Sequence, residues 1–317
     1  EHGFTGDTYS ENVFALPAGD YTFTVLAYQL RTGAFNFRLT DLSTAPTLAL
    51  DTTTHVSLIP GDRSRVQRFT LTQSTDLIFD RITTNNSNSG WSIYNASGKR
   101  RIYGYLNSDS SKFTLAAGEY YLAINGYNPT LTEFDFGLRV PTTKINAIAL
   151  DTVINGSLDQ PAQQAEHTFT INSPTTLLLD SLTNSNDLVW DLIGPNGSAV
   201  RSNIRFDQGE NGDSNSLISA TTAGIYTLRV RSLTNAVGNF GFRLTDLNAL
   251  PATVLSGTQT ITLAPGNSTR VYAFDSSAGD YFSYQFTALS AGQASYYLVN
   301  ASGAREIYPS NAQYDSS

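Results

Sequence analysis

Hydrophobic residues alternate with polar ones in short runs along the whole chain. Tyr21, Phe23, Val25 and Ala27 form one run, and Phe35-Asn-Phe37-Arg-Leu39 forms another. A period of two marks a strand with one buried face. Over residues 44–143 the alternation predicts strands near 55–60, 65–71, 75–82, 90–96, 100–104, 111–116, 118–126 and 132–140. No stretch of useful length carries the 3.6-residue period of an amphipathic helix. Eight short strands separated by Gly, Asn and Pro predict an all-β fold, an antiparallel β-sandwich of jelly-roll-like type.

The pattern repeats. Trp91-Ser-Ile-Tyr-Asn-Ala-Ser-Gly98, Trp190-Asp-Leu-Ile-Gly-Pro-Asn-Gly197 and Tyr296-Tyr-Leu-Val-Asn-Ala-Ser-Gly303 each run from a large aromatic through a short apolar strand to a turn. Their glycines stand 99 and 106 residues apart, and Gly19, Gly118 and Gly224, each two residues before a Tyr, repeat both steps. A period near 100 is that of whole domains with their own cores, not of a solenoid. The expected division is the back half of a sandwich over 1–43, complete sandwiches over 44–143 and 144–248, and the front half of a further one over 249–317. Neither half holds enough strands for both sheets. Completion therefore comes from a longer tandem array or from another copy of the chain. Short joints at Leu42-Ser-Thr-Ala-Pro46 and Val140-Pro-Thr-Thr143 predict a semi-rigid row. Ala278-Gly279-Asp280-Tyr281 imitates the Gly-x-Tyr motif out of phase and is expected to be a plain turn.

Composition narrows the function classes. The formal net charge is -8, and Lys99-Arg100-Arg101 is the densest basic run, so nucleic acid is not an expected partner. The absence of Cys removes disulfides, thiolate metal sites and Cys nucleophiles. No segment has the ~18 uninterrupted apolar residues of a membrane span. The absence of Met predicts a processed chain or a segment of a longer one.

Candidate chemistry is sparse. A Ser-His-Asp site needs a His, and none of His2, His55 and His167 recurs between repeats. Gly-x-Ser-x-Gly, His-Glu-x-x-His, Walker and dinucleotide motifs are absent, so the chain is expected not to be an enzyme. Asp207, Glu210 and Asp213, with Asn211 and Asn215 beside them, offer oxygen ligands of the kind Ca²⁺ takes, although EF-hand spacing is missing and a solvated acidic loop would look the same. Asp80 and Asp180 occupy matching strand ends, where a turn or capping role is expected. Tyr21, Tyr120 and Tyr226 fit a tyrosine corner, ring in the core and hydroxyl on backbone. The non-recurring Tyr94, Tyr103, Tyr105 and Tyr127 are the candidates for an exposed binding face. Asn95, Asn196 and Asn300 stand in glycosylation sequons, but their place in the signature turns makes turn chemistry the expected role.

Asp151-Thr-Val-Ile-Asn-Gly-Ser157, His167-Thr-Phe-Thr-Ile171, Leu177-Leu-Leu-Asp180, Trp190–Gly197 and Ala223-Gly-Ile-Tyr-Thr-Leu-Arg-Val230 resemble the bacterial pre-peptidase C-terminal domain. The resemblance covers both full repeats and part of each end piece. It implies a secreted, non-catalytic β-sandwich, in a family where some members bind calcium or polymeric substrates. No ligand set carries over residue by residue. The expectation is a structural and interaction protein at the cell surface or outside the cell: a fibre, sheath, surface layer or adhesin. Its partners would be other copies, neighbouring repeats, or extracellular polysaccharide or protein. The alternative is a carbohydrate- or protein-binding accessory module of a secreted hydrolase.

Overall fold

The computed structural model describes residues 16–24, 39–57, 64–83, 89–125, 133–208, 216–254, 258–262, 269–283 and 295–311. Its contacts divide the chain into two units, Glu1–Pro141 and Thr142–Ser317. Each unit holds one β-sandwich, and no α-helix occurs among the described residues.

The first sandwich is built from β1 (Thr53–Ser57), β2 (Ser64–Leu71), β3 (Thr75–Arg81), β4 (Gly90–Asn95), β5 (Arg100–Tyr105), β6 (Phe113–Leu115), β7 (Gly118–Asn125) and β8 (Glu133–Arg139). One sheet has the order β1-β8-β3-β6 and the other β2-β7-β4-β5, with every pairing antiparallel. The strands lie within about two residues of those the alternation predicts. Leu77, Phe79, Trp91, Ile93, Leu122, Phe134, Phe136 and Leu138 meet between the sheets. Phe79 is the hub of this core, stacked 4.7 Å from Trp91 and 5.1 Å from Phe136 between ring centroids.

The second sandwich repeats this plan with β10 (Val153–Leu158), β11 (Gln164–Ile171), β12 (Thr175–Ser181), β13 (Leu188–Ile193), β14 (Ala199–Arg205), β15 (Leu217–Ala220), β16 (Gly224–Ser232) and β17 (Gly238–Asp246). Its sheets are β10-β17-β12-β15 and β14-β13-β16-β11, the second extended by β9 (Thr143–Ala147). Alternation in β11 is clean: Ala165, His167, Phe169 and Ile171 are buried while Glu166 and Thr168 turn away from the core. Trp190, Phe206, Tyr226, Phe240 and Phe242 fill the interior.

Strand β9 departs from the expected all-antiparallel sandwich. It pairs parallel to β11, with Thr143 opposite Gln164 and Ala147 opposite Thr168. The stretch read as a short joint after Val140 thus becomes part of the next sheet. Thr47 makes the matching parallel bridge to Arg68, and Ala252 makes it to Ala273. Each module begins by laying its entry segment along an exposed sheet edge, which covers backbone groups that would otherwise pair with another chain.

Beyond residue 249 one hairpin forms, β18 (Ser295–Val299) with β19 (Arg305–Asn311). It has the construction of β4–β5 and β13–β14, including the register shift near the turn. No further strand pairs with it among the described residues.

Candidate functional site

The three signature turns are one structure. Gly98, Gly197 and Gly303 have φ of 78°, 80° and 80°, a region that favours Gly, and each donates its N–H to the carbonyl three residues earlier at 2.9 Å. The Asn95 Oδ1 accepts from the Lys99 amide, and the Asn300 Oδ1 accepts from the Ser302 and Ala304 amides. These Asn side chains are spent on the turn. Trp91 and Trp190 are 1% and 0% exposed, so the aromatic that opens each motif is core.

The tyrosine corner recurs too. Tyr120 donates its hydroxyl proton to the Ala116 carbonyl at 3.0 Å, Tyr226 to Thr222 at 2.8 Å, and Tyr21 to Pro17 at 2.5 Å. Tyr120 and Tyr226 are buried, stacked on Phe69 and Phe169, whereas Tyr21 is 56% exposed. Tyr281, in the out-of-phase copy, is 98% exposed, and Gly279 and Asp280 there form a local turn.

Asp80 and Asp180 do not cap turns. Each is buried against an arginine: Arg139 Nε donates to Asp80 Oδ2 at 2.7 Å, and Arg243 Nη2 donates to Asp180 Oδ2 at 2.6 Å. A buried carboxylate needs such a partner to remain charged. The two arginines are not at equivalent positions, so inspection of the sequence alone gives no sign of the shared pair.

Other ionic groups lie on the outer face of β16. Arg231 donates to Asp191, whose Oδ1 also accepts the Asn203 amide, and Arg229 pairs with Glu166. Asp191 is therefore committed to the sheet. Exposed carboxylates elsewhere titrate low because they are bonded: Lys112 and Thr114 hold Asp76 below the usual range, and Lys144 and Ser157 do the same for Asp159.

Of the three acids proposed for Ca²⁺, Asp207 closes a 3-10 turn and is held by Arg205 through both carboxylate oxygens. Glu210 and Asp213 lie outside the described residues, as do Asn211 and Asn215. Among the described residues no group of three or more His, Asp or Glu side chains is placed to hold a metal.

The histidines separate. His55 Nδ1 meets Asp135 Oδ1 at 2.8 Å on the surface, and Thr83 Oγ1 donates to the same carboxylate at 3.2 Å rather than standing across the imidazole. His167 points into the core, 3% exposed, edge-on to Phe240 and Phe242, with both ring nitrogens unpartnered. Burial lowers its pKa.

Of the tyrosines proposed for a binding face, Tyr103 and Tyr105 are 63% and 56% exposed on the edge strand β5, and the Arg100 guanidinium lies 4.7 Å from the Tyr103 ring centroid. Tyr94 is instead buried, and Tyr127 lies outside the described residues. In the segment after residue 249, Val254, Phe274, Tyr281 and Phe282 line a shallow recess. Val254 and Phe282 are 84% and 61% exposed there.

Comparisons with known proteins add fold-level likeness. No protein-family model matches the chain, and no curated protein matches it either. Among solved structures, the pre-peptidase C-terminal domain of a Bacillus anthracis collagenase aligns over 32% of this chain and 99% of its own, at 22% identity and a TM-score of 0.29. A periplasmic inhibitor of g-type lysozyme from Escherichia coli aligns over 33% and 98%, at 13% identity and 0.26. The CUB1-EGF-CUB2 region of human MASP-1/3 aligns over 61% and 99%, at 9% identity and 0.21. No helix of the described residues is long and apolar enough to cross a membrane.

Proposed function

We propose that the chain is a non-catalytic structural and interaction protein of the bacterial cell exterior, part of a fibre, sheath, surface layer or adhesin made of tandem β-sandwiches. In this reading its modules join by completing one another. The third module contributes the hairpin β18–β19 and the parallel bridge of Ala252 to Ala273, the counterparts of β13–β14 and of β9 against β11. It lacks counterparts of β15, β16 and β17. The run from Tyr21 to Asp41 has the sequence of β16 and β17, down to Phe35-Asn-Phe-Arg-Leu-Thr-Asp41 matching Phe240-Gly-Phe-Arg-Leu-Thr-Asp246. The observation that carries the reading is complementary exposure. Tyr21 and Leu39, whose counterparts Tyr226 and Leu244 are buried core, are 56% and 66% exposed, as are Val254 and Phe282 on the half-module that needs them. Burying large apolar side chains contributes about 1.5–3 kcal/mol each, enough to drive association of a few such residues. The occupant is the 18–42 segment of a second copy.

Sedimentation of the purified chain tests this. Oligomers that grow with concentration, and that Tyr21→Asp abolishes, support it. A monomer at every concentration sinks it.

A second reading rests on Tyr103 and Tyr105, exposed side by side on one edge strand with Lys99, Arg100 and Arg101 beside them. Such a strip suits stacking on a polysaccharide, as in an accessory module of a secreted hydrolase. A Tyr103→Ala, Tyr105→Ala variant that binds immobilised glycans as well as the parent would remove it.

A further inference from the structure

Strand β12 is buried along its whole length and on both faces, unlike its counterpart β3, whose ends are partly open. Leu177 and Leu179 point into the sandwich core. Thr176, Leu178 and Asp180 alternate with them on the outer face, yet are only 5%, 4% and 1% exposed. Part of that cover comes from the module that follows. Arg243 Nη2, besides holding Asp180, donates to the Thr269 carbonyl at 2.7 Å, and the Thr269 amide donates to Asp180 Oδ1 at 3.2 Å. One peptide position is thus gripped at both its N–H and its C=O by a buried ion pair. Gly303, at the turn of β18–β19, lies close enough to Thr176 that a Cβ would stand 3.0 Å from its Oγ1.

We infer that the outer face of β12 is a docking surface for the succeeding module, with Asp180 and Arg243 as a clasp on its backbone. Thr269 stands four residues before Ala273, as Gln164, the first residue of β11, stands before Thr168. The clasp therefore seizes the second module strand at its start, where its position fixes the register of everything after it. Because it reads peptide groups rather than a side chain, it tolerates sequence change in the module it holds. Buried charge-assisted bonds also suit the task, since they are directional and little screened by salt. The clasp is a repeat feature: Ile78 and Asp80 hold the same places on β3, both buried and outside that sandwich's core, with Arg139 supplying the guanidinium.

This inference stands apart from completion between copies, because the docked residues belong to the same chain. The test is hydrogen exchange with limited proteolysis on the whole chain at a concentration where sedimentation shows a single mass. Thr269→Pro removes the gripped N–H and leaves the second sandwich untouched. Arg243→Met removes the grip on the carbonyl. Both variants are expected to raise cleavage of residues 249–283 at least fivefold and to speed exchange in 269–283, while β11 and β16 keep their protection in Thr269→Pro. Unchanged cleavage and exchange in Thr269→Pro would overturn the clasp. So would loosening by Thr269→Pro with none by Arg243→Met, since the side-chain pair would then hold nothing.

Discussion

Arg139 reaches Asp80 across the bare backbone of Gly137. In the β3–β8 register Gly137, not Arg139, faces Asp80. A Cβ at Gly137 would stand 2.8 Å from the Arg139 Cζ and Nε, so the guanidinium lies where a side chain would be. In the second sandwich the residue facing Asp180 is Arg243 itself. Two routes deliver a guanidinium to the same buried carboxylate.

That relationship makes a swap testable. Gly137→Ala displaces the guanidinium and leaves Asp80 half-partnered, at a cost of about 2 kcal/mol, on the scale of losing a charge-assisted bond. Gly137→Arg with Arg139→Thr, the arrangement of the second sandwich, is expected to recover most of it. Urea denaturation of the three proteins gives the comparison. Equal stability of Gly137→Ala and the parent would show that the pair contributes nothing.

The tyrosine corners divide by context. Tyr226→Phe removes a hydrogen bond in a closed core and is expected to cost about 1 kcal/mol. Tyr21→Phe, on an open segment, should leave the unfolding midpoint of the isolated chain unchanged and weaken association instead. A thermal shift in both variants alike would contradict the difference in their surroundings.

Much of this was legible in the sequence, and the reasons differ by element. Alternation located β2 and β11 because one face of each is core, and the spacing of Gly98, Gly197 and Gly303 located the turns because a positive φ constrains residue type. Strand β9 was not legible: Thr143–Ala147 buries no face and pairs through backbone alone, so it leaves no hydrophobic signature. The Asp–Arg pairs were hidden because Arg139 and Arg243 occupy different register positions. Tyr94 was misread as a surface residue because alternation assigns a face, not what covers it.

The second sandwich should weaken in mild acid. His167 is buried without a hydrogen-bond partner, and burial alone lowers its pKa from 6.5. No charged group on β9, β10, β16 or β17 contributes to that shift. The folded state thus binds the proton more weakly than the unfolded one. The stability is complete above pH 6.5 and declines as pH falls below it. His167→Leu is expected to abolish the decline between pH 6.5 and 4.5 in denaturation midpoints. A decline of the same slope in that variant would move the cause elsewhere.

Glycine at the signature turns carries a backbone cost that can be measured singly. Nothing stands within 4 Å of a Cβ placed on Gly197, so Gly197→Ala tests φ alone and is expected to cost about 1 kcal/mol. Gly303→Ala adds the approach to Thr176, and should loosen residues 295–311 in hydrogen exchange where Gly197→Ala does not.

The account stands or falls on whether the 18–42 segment of one copy seats on the half-module of another. Carboxyl-directed crosslinking of a mixture of ¹⁴N- and ¹⁵N-labelled chains measures this directly, through Asp20 and Asp41 on one side and Asp275, Asp280 and Glu306 on the other. Completion between copies predicts mixed-isotope crosslinks between these two groups, lost in Tyr21→Asp. Crosslinks that join only chains of one label, or none between these groups, would contradict it.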